Sequence, residues 1–178
     1  MNYNERMIIK ENNSLNYQLR LIAKETRQSI ESLSIENHPS IRCIKLMTGD
    51  NEFPKNWCDF SSCVLANQLA RNAGIRDINY NSTSIGIGNH FWLEICNDIV
   101  VDITADQFSR TNESIIVESR SKLPEMYRED VHTEPFFGRK QHSYSVERAI
   151  LKLDFAIQNK MGPTRTQRSF QGFIDNGT

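Results

Sequence analysis

Trp57-Cys58-Asp59-Phe60-Ser61-Ser62, then Asn89-His90-Phe91-Trp92-Leu93-Glu94, then Ile99-Val100-Val101-Asp102 are the stretches on which the reading of this chain turns. The first puts a cysteine at the start of an apolar helix, the second a histidine on a strand, the third a carboxylate on the next strand. A thiolate nucleophile needs a base to take its proton and a third group to hold that base in place. The three residue types occur here in the order Cys, His, Asp.

Working outward from Cys58, the apolar positions Val64, Leu65, Leu69 and Ala73 alternate with the small residues Ser61, Ser62 and Ala66, and Gly74 supplies a C-cap. The spacing predicts a central buried helix whose small residues let it lie close against a sheet. At the helix start the positive end of the macrodipole favours a thiolate, while the charge of Asp59 opposes one. Cysteine is also a common buried residue, so Cys58 has a purely structural reading. Cys63 is the competing nucleophile, but it lies more than a turn inside the helix beside Val64 and Ala66 and reads as core. Cys43 and Cys96 sit in apolar runs and read as structural.

Ile75 to Thr83, Ile85 to Cys96 and Ile99 to Thr104 read as strands, with Glu113 to Glu118 a further one. The glycines before His90 predict a ring beside open space, and Cys58 a half-exposed thiol. Asp102 interrupts an apolar run, where a carboxylate is costly to bury without a partner; the alternatives are an edge charge or a turn cap. Loop length decides whether His90 can be that partner. With Cys96-Asn97-Asp98 as a three-residue loop, Ile95 faces Ile99, Trp92 faces Asp102, and His90 and Asp102 share a face as diagonal neighbours. A two-residue loop puts them on opposite faces. Asp106 reads as a cap, and Glu94 and Gln107 as polar residues near the His strand, open to a structural role. The Cys58 backbone N–H is the first candidate oxyanion donor, with the side-chain amides of Asn56 and Asn51 as further candidates. His38, His132 and His142 fall in polar segments and read as solvent-facing.

Farther out, Leu15, Leu19, Ile22, Ile30 and Leu33 mark an amphipathic helix over 14–33, ended by Asn37-His38-Pro39. The short run 41–47 fits a strand or a helical turn. Residues 145–158 carry Val146, Ala149, Ile150, Leu153 and Ile157 on one helical face, and the polar segment after Gly162-Pro163 predicts a flexible tail. The expected organisation is one domain over 1–160, with a helical extension at 1–40 and a core at 50–120, followed by the tail at 161–178.

Composition narrows the function. The 178 residues carry a net charge of -1 and 38% apolar residues, which gives no electrostatic footprint for nucleic acid or an anionic membrane. No apolar run approaches the roughly 20 residues of a membrane span. The start, Met1 to Arg6, lacks the layout of a signal peptide, so the expectation is cytoplasmic, with delivery by a specialised secretion system also compatible. The four cysteines form no CxxC pair and share no ligand spacing with the histidines; neither a disulfide scaffold nor a metal centre is expected, nor any cofactor.

Residues 53–110 resemble the papain-like and transglutaminase-like cysteine hydrolases, and among them bacterial members related to the leader peptidases of lasso-peptide maturation. The resemblance rests on the stretches quoted above, extended through Leu65 and Leu69 and through Ile103-Thr104-Ala105-Asp106-Gln107-Phe108. It implies an α+β fold with the cysteine helix packed on an antiparallel sheet and extra N- and C-terminal helices. It also implies Cys58 as nucleophile, His90 as general base and acid, and Asp102 as the group orienting the imidazole. The reaction implied runs through a thioester: cleavage of a peptide or isopeptide, deamidation of glutamine, or acyl transfer to an amine. The expected partner is a peptide or protein substrate. The rival expectation is a non-catalytic binding protein that keeps the fold.

Overall fold

A computed structural model describes residues 3–49, 52–85, 88–108, 113–137 and 144–161. Asn51, His142, the stretch after Gly162 and Gly86 therefore lie outside the described residues. The described residues form an α+β arrangement of four α-helices and a five-stranded antiparallel sheet. The helices are α1 (Tyr3–Ile35), α2 (Pro39–Met47), α3 (Cys58–Ala73) and α4 (Tyr144–Met161). The strands are β1 (Ile78–Ile85), β2 (Gly88–Ile95), β3 (Ile99–Asp102), β4 (Ile116–Ser119) and β5 (His132–Pro135), in the spatial order β4-β3-β2-β1-β5.

The pleat sorts β2 between two cores. Phe91, Leu93 and Ile95 join the larger cluster, where Leu19, Ile22, Ile30 and Leu33 of α1 meet Val64, Leu65 and Leu69 of α3 and Leu153 and Ile157 of α4. Trp92, on the other face, packs with Val100, Ala105, Ile116, Met126 and Tyr127. Strand side chains alternate with period two, so His90 and Glu94 share the Trp92 face. Residues 19–33 of α1 thus supply one wall of the main core.

Residues 41–47 are helical, and the reason is capping. Asn37 takes a left-handed φ of 51° after α1, and His38 N–H donates to Leu33 O at 3.0 Å, closing the helix. Pro39 then starts α2 at a first-turn position that needs no donor, with His38 Nδ1 accepting from Ser40 N–H. Gly74, at φ 68°, ends α3 as expected from its lack of a side chain. β5 carries no alternation in sequence and forms by pairing with the edge of β1, where Asn81 faces Thr133, and Phe136 N–H donates to Ile78 O at 2.8 Å. His132, read as solvent-facing, is exposed and lies on this edge strand.

Two buried ionic groups tie helices to the rest. Asp154 of α4 accepts from Gln68 Nε2 at 2.6 Å and Arg71 at 2.9 Å, both on α3. Arg27 of α1 forms a forked pair with Asp106, both bonds 2.8 Å, and donates to Ile103 O at 2.7 Å and Ser114 O at 2.8 Å. Asp106 is therefore the partner of Arg27, where the sequence suggested a cap. Arg27→Met is expected to cost about 3 kcal/mol in urea unfolding, the lower end for breaking a buried pair because the Asp106 side chain is 32% exposed. An unchanged midpoint would show that α1 docks without it.

Candidate active site

Cys58 is the first residue of α3, and no side chain caps that helix start. The Cys58 N–H is therefore one of the first-turn donors that a helix leaves without an internal acceptor. β3 pairs with β2 only over Leu93–Ile95. Beyond that point the first turns of α3 lie against the backbone of β2. Ser62 Oγ donates to Phe91 O at 3.2 Å, and Cys58 Sγ lies 3.7 Å from Asn89 O. This seats the thiol beside the His90 ring.

Ile95 faces Ile99 and Leu93 faces Val101, the register of the three-residue loop. Cys96 and Asn97 make the turn with φ values of 52° and 57°. The consequence is direct: His90 Nε2 lies 2.6 Å from Asp102 Oδ2. The other carboxylate oxygen accepts Thr104 N–H at 2.8 Å and the Thr104 hydroxyl at 3.0 Å, a local turn that fixes the carboxylate. Tyr127, from a single helical turn after Pro124, donates its hydroxyl to Asp102 Oδ2 at 2.8 Å. Gln107 places its amide nitrogen 3.1 Å from His90 Nδ1.

Aromatic rings enclose the imidazole: Phe108 edge-on at 4.6 Å, Trp92 at 5.5 Å and Tyr127 at 6.1 Å. His90 is 0% and Cys58 4% exposed. The expected open ring and half-exposed thiol are thus corrected. Side chains of Gln107, Phe108 and Tyr127 cover the ring, and nothing in the local sequence announces that cover. Asn56 is exposed, at φ 63°, just outside the helix start. Asp59 turns its carboxylate to the Tyr80 hydroxyl and lies 3.7 Å from Cys63 Sγ. Glu94 accepts from Asn81 Nδ2 at 2.8 Å and pairs with Arg120 at 3.5 Å, away from the ring. Cys63 is buried in the core; Cys96, read as structural, is exposed at the turn.

Electrostatics make His90 and Asp102 one unit. Burial pulls the imidazole down, but the charge and hydrogen bond of Asp102, with those of Cys58, outweigh it and raise the ring from 6.5 to about 9. Burial pushes Asp102 up; the His90 charge and hydrogen bond, Thr104 N–H and the Tyr127 hydroxyl outweigh it and leave the carboxyl below its ordinary value of 3.8. Because His90 binds its proton more tightly folded than unfolded, its contribution to stability is complete below pH 6.5. It is lost as pH rises through about 9. The lowered carboxyl acts oppositely: its contribution is present above 3.8 and lost as pH falls below that. Wild-type unfolding free energy should therefore decline between pH 6.5 and 9 relative to His90→Gln. Parallel urea titrations of the two proteins check this, and a constant difference would contradict it.

Among the described residues no three His, Cys, Asp or Glu side chains converge to hold a metal ion, and no helix is long and apolar enough to cross a membrane. The sequence missed Tyr127 outright and left the place of Gln107 open. The position of Gln107, shortly after Asp102 and Thr104, was the one available signal; Tyr127 had none. No protein-family model matches the chain, and neither the curated proteins nor the solved structures yield a match.

Proposed function

We propose that the protein is a cysteine hydrolase or acyltransferase of the papain-like and transglutaminase-like kind, acting on a peptide, isopeptide or glutamine side-chain amide. The observation that carries this reading is the continuous line from the Asp102 carboxylate through His90 to Cys58 at a helix start. Asp102 occupies Nε2, which leaves Nδ1 for the thiol. The proton of Cys58 passes to Nδ1, and Sγ attacks the carbonyl carbon. The oxyanion is held by the Cys58 N–H, and the Gln107 amide, 3.1 Å from Nδ1, is a side-chain donor that can add to it. Imidazolium Nδ1–H protonates the departing amine as the C–N bond breaks, leaving a thioester. Water or an amine then gives a proton to Nδ1, attacks the thioester, and releases the thiolate. Cys58 and His90 are covered, so a substrate must displace side chains over the ring as it enters.

That cover also favours a second reading, a binding protein that keeps the fold without turnover. Alkylation by iodoacetamide with mass mapping separates the two. An enzyme shows Cys58 labelled at about pH 6, where an ordinary thiol is almost wholly protonated, ahead of the exposed Cys96. If Cys96 reacts first and Cys58 is inert until about pH 8.5, the hydrolase reading fails.

A further inference from the structure

We infer that Tyr127 is a positioning residue that limits how firmly Asp102 grips the His90 ring, because its hydroxyl donates to the same carboxylate oxygen. This rests on the reading of Cys58, His90 and Asp102 as a cysteine-hydrolase site. Oδ2 of Asp102 accepts His90 Nε2 at 2.6 Å and the Tyr127 hydroxyl at 2.8 Å, while Oδ1 is taken up by Thr104. The negative charge of Oδ2 is thus divided between a neutral donor and the imidazolium.

Tyr127 is built for that one bond. It is 0% exposed, its ring meets Trp92 edge-on at 5.1 Å, and its N–H donates to Pro124 O at 3.0 Å. Burial, then the charge of Asp102, pushes the phenol far above its ordinary value, so the hydroxyl keeps its proton and remains a donor. Among the described residues the titratable groups acting on His90 are Asp102 from β3 and Cys58 from α3. Gln107 adds a neutral amide at Nδ1. The Tyr127 hydroxyl acts on the ring through Asp102, apart from the edge-on contact of its ring with the imidazole at 6.1 Å. Removing its hydroxyl gives the whole charge of Oδ2 to the ring, which then holds its proton more tightly and releases it less readily to a departing amine.

The test is the titration of the His90 ring followed by NMR in the full chain. Tyr127→Phe keeps the packing and should raise the His90 pKa by roughly half a unit to one unit, the equivalent of one ordinary hydrogen bond. In an Asp102→Asn background the same substitution should leave the ring's titration unchanged. Site-specific 3-fluorotyrosine at position 127, a stronger donor of nearly the same shape, should lower it, and this decides the matter if Tyr127→Phe does not fold. No rise with Tyr127→Phe, an equal rise in the Asp102→Asn background, or a rise with fluorotyrosine overturns the proposal. None of these readings requires turnover, so an inert Cys58 would sink the hydrolase assignment and leave the titration result standing.

Discussion

On the hydrolase reading, Cys58→Ala should lower turnover by a factor on the order of 10⁴ or more, since no other group would take the place of the proposed nucleophile. The fold should survive. Cys58 is 4% exposed, and an Ala in its place loses one sulfur and its weak contact with Asn89 O at 3.7 Å. Cys63→Ala is the control. That thiol is buried at 1% exposure in the main core, so its loss should cost on the order of 1–2 kcal/mol by cavity formation while activity is retained. An amide-ester probe with mass mapping reads the first effect, and urea unfolding the second. A folded Cys63→Ala protein without activity, beside an active Cys58→Ala, would mean that the nucleophile is misassigned.

Asp102 carries the other large effect, on two quantities at once. Asp102→Ala strips the acceptor from His90 Nε2, the Tyr127 hydroxyl and both Thr104 donors. All lie in a buried site, and the loss should reach about 3–5 kcal/mol. Asp102→Asn keeps an acceptor in the same place and should fold, but it removes the charge that lifts His90 to about 9. The ring's titration should fall accordingly, and turnover should drop by on the order of 10²-fold, less than for His90→Ala. Wild-type turnover in Asp102→Ala would reduce Asp102 to a structural charge. Neither Asp106 nor Glu94 would replace it, for the first is held by Arg27 and the second by Asn81 and Arg120.

Strand parity and helix period were legible in the chain because both are local. The length of the loop at 96–98 was open in the sequence, two residues or three; the structure has three, and once Ile95 faces Ile99 the pleat alone carries His90 and Asp102 to one face. Small residues along α3 and Gly74 at its end place Cys58 at a helix start by the same local logic. Beyond that reach, the sequence was silent. Whether 41–47 became helix or strand depended on how His38 and Pro39 cap it against α1. β5 exists because β1 offers an unpaired edge. Tyr127 arrives at Asp102 across a separation of 25 residues, drawn there by the packing of Met126 and Tyr127 on Trp92 and Val100. That same packing buries His90, and the first turns of α3 on β2 bury Cys58. Period and turn length act between neighbours in the chain; which distant segment covers an open sheet face is settled only by the apolar surface it buries there.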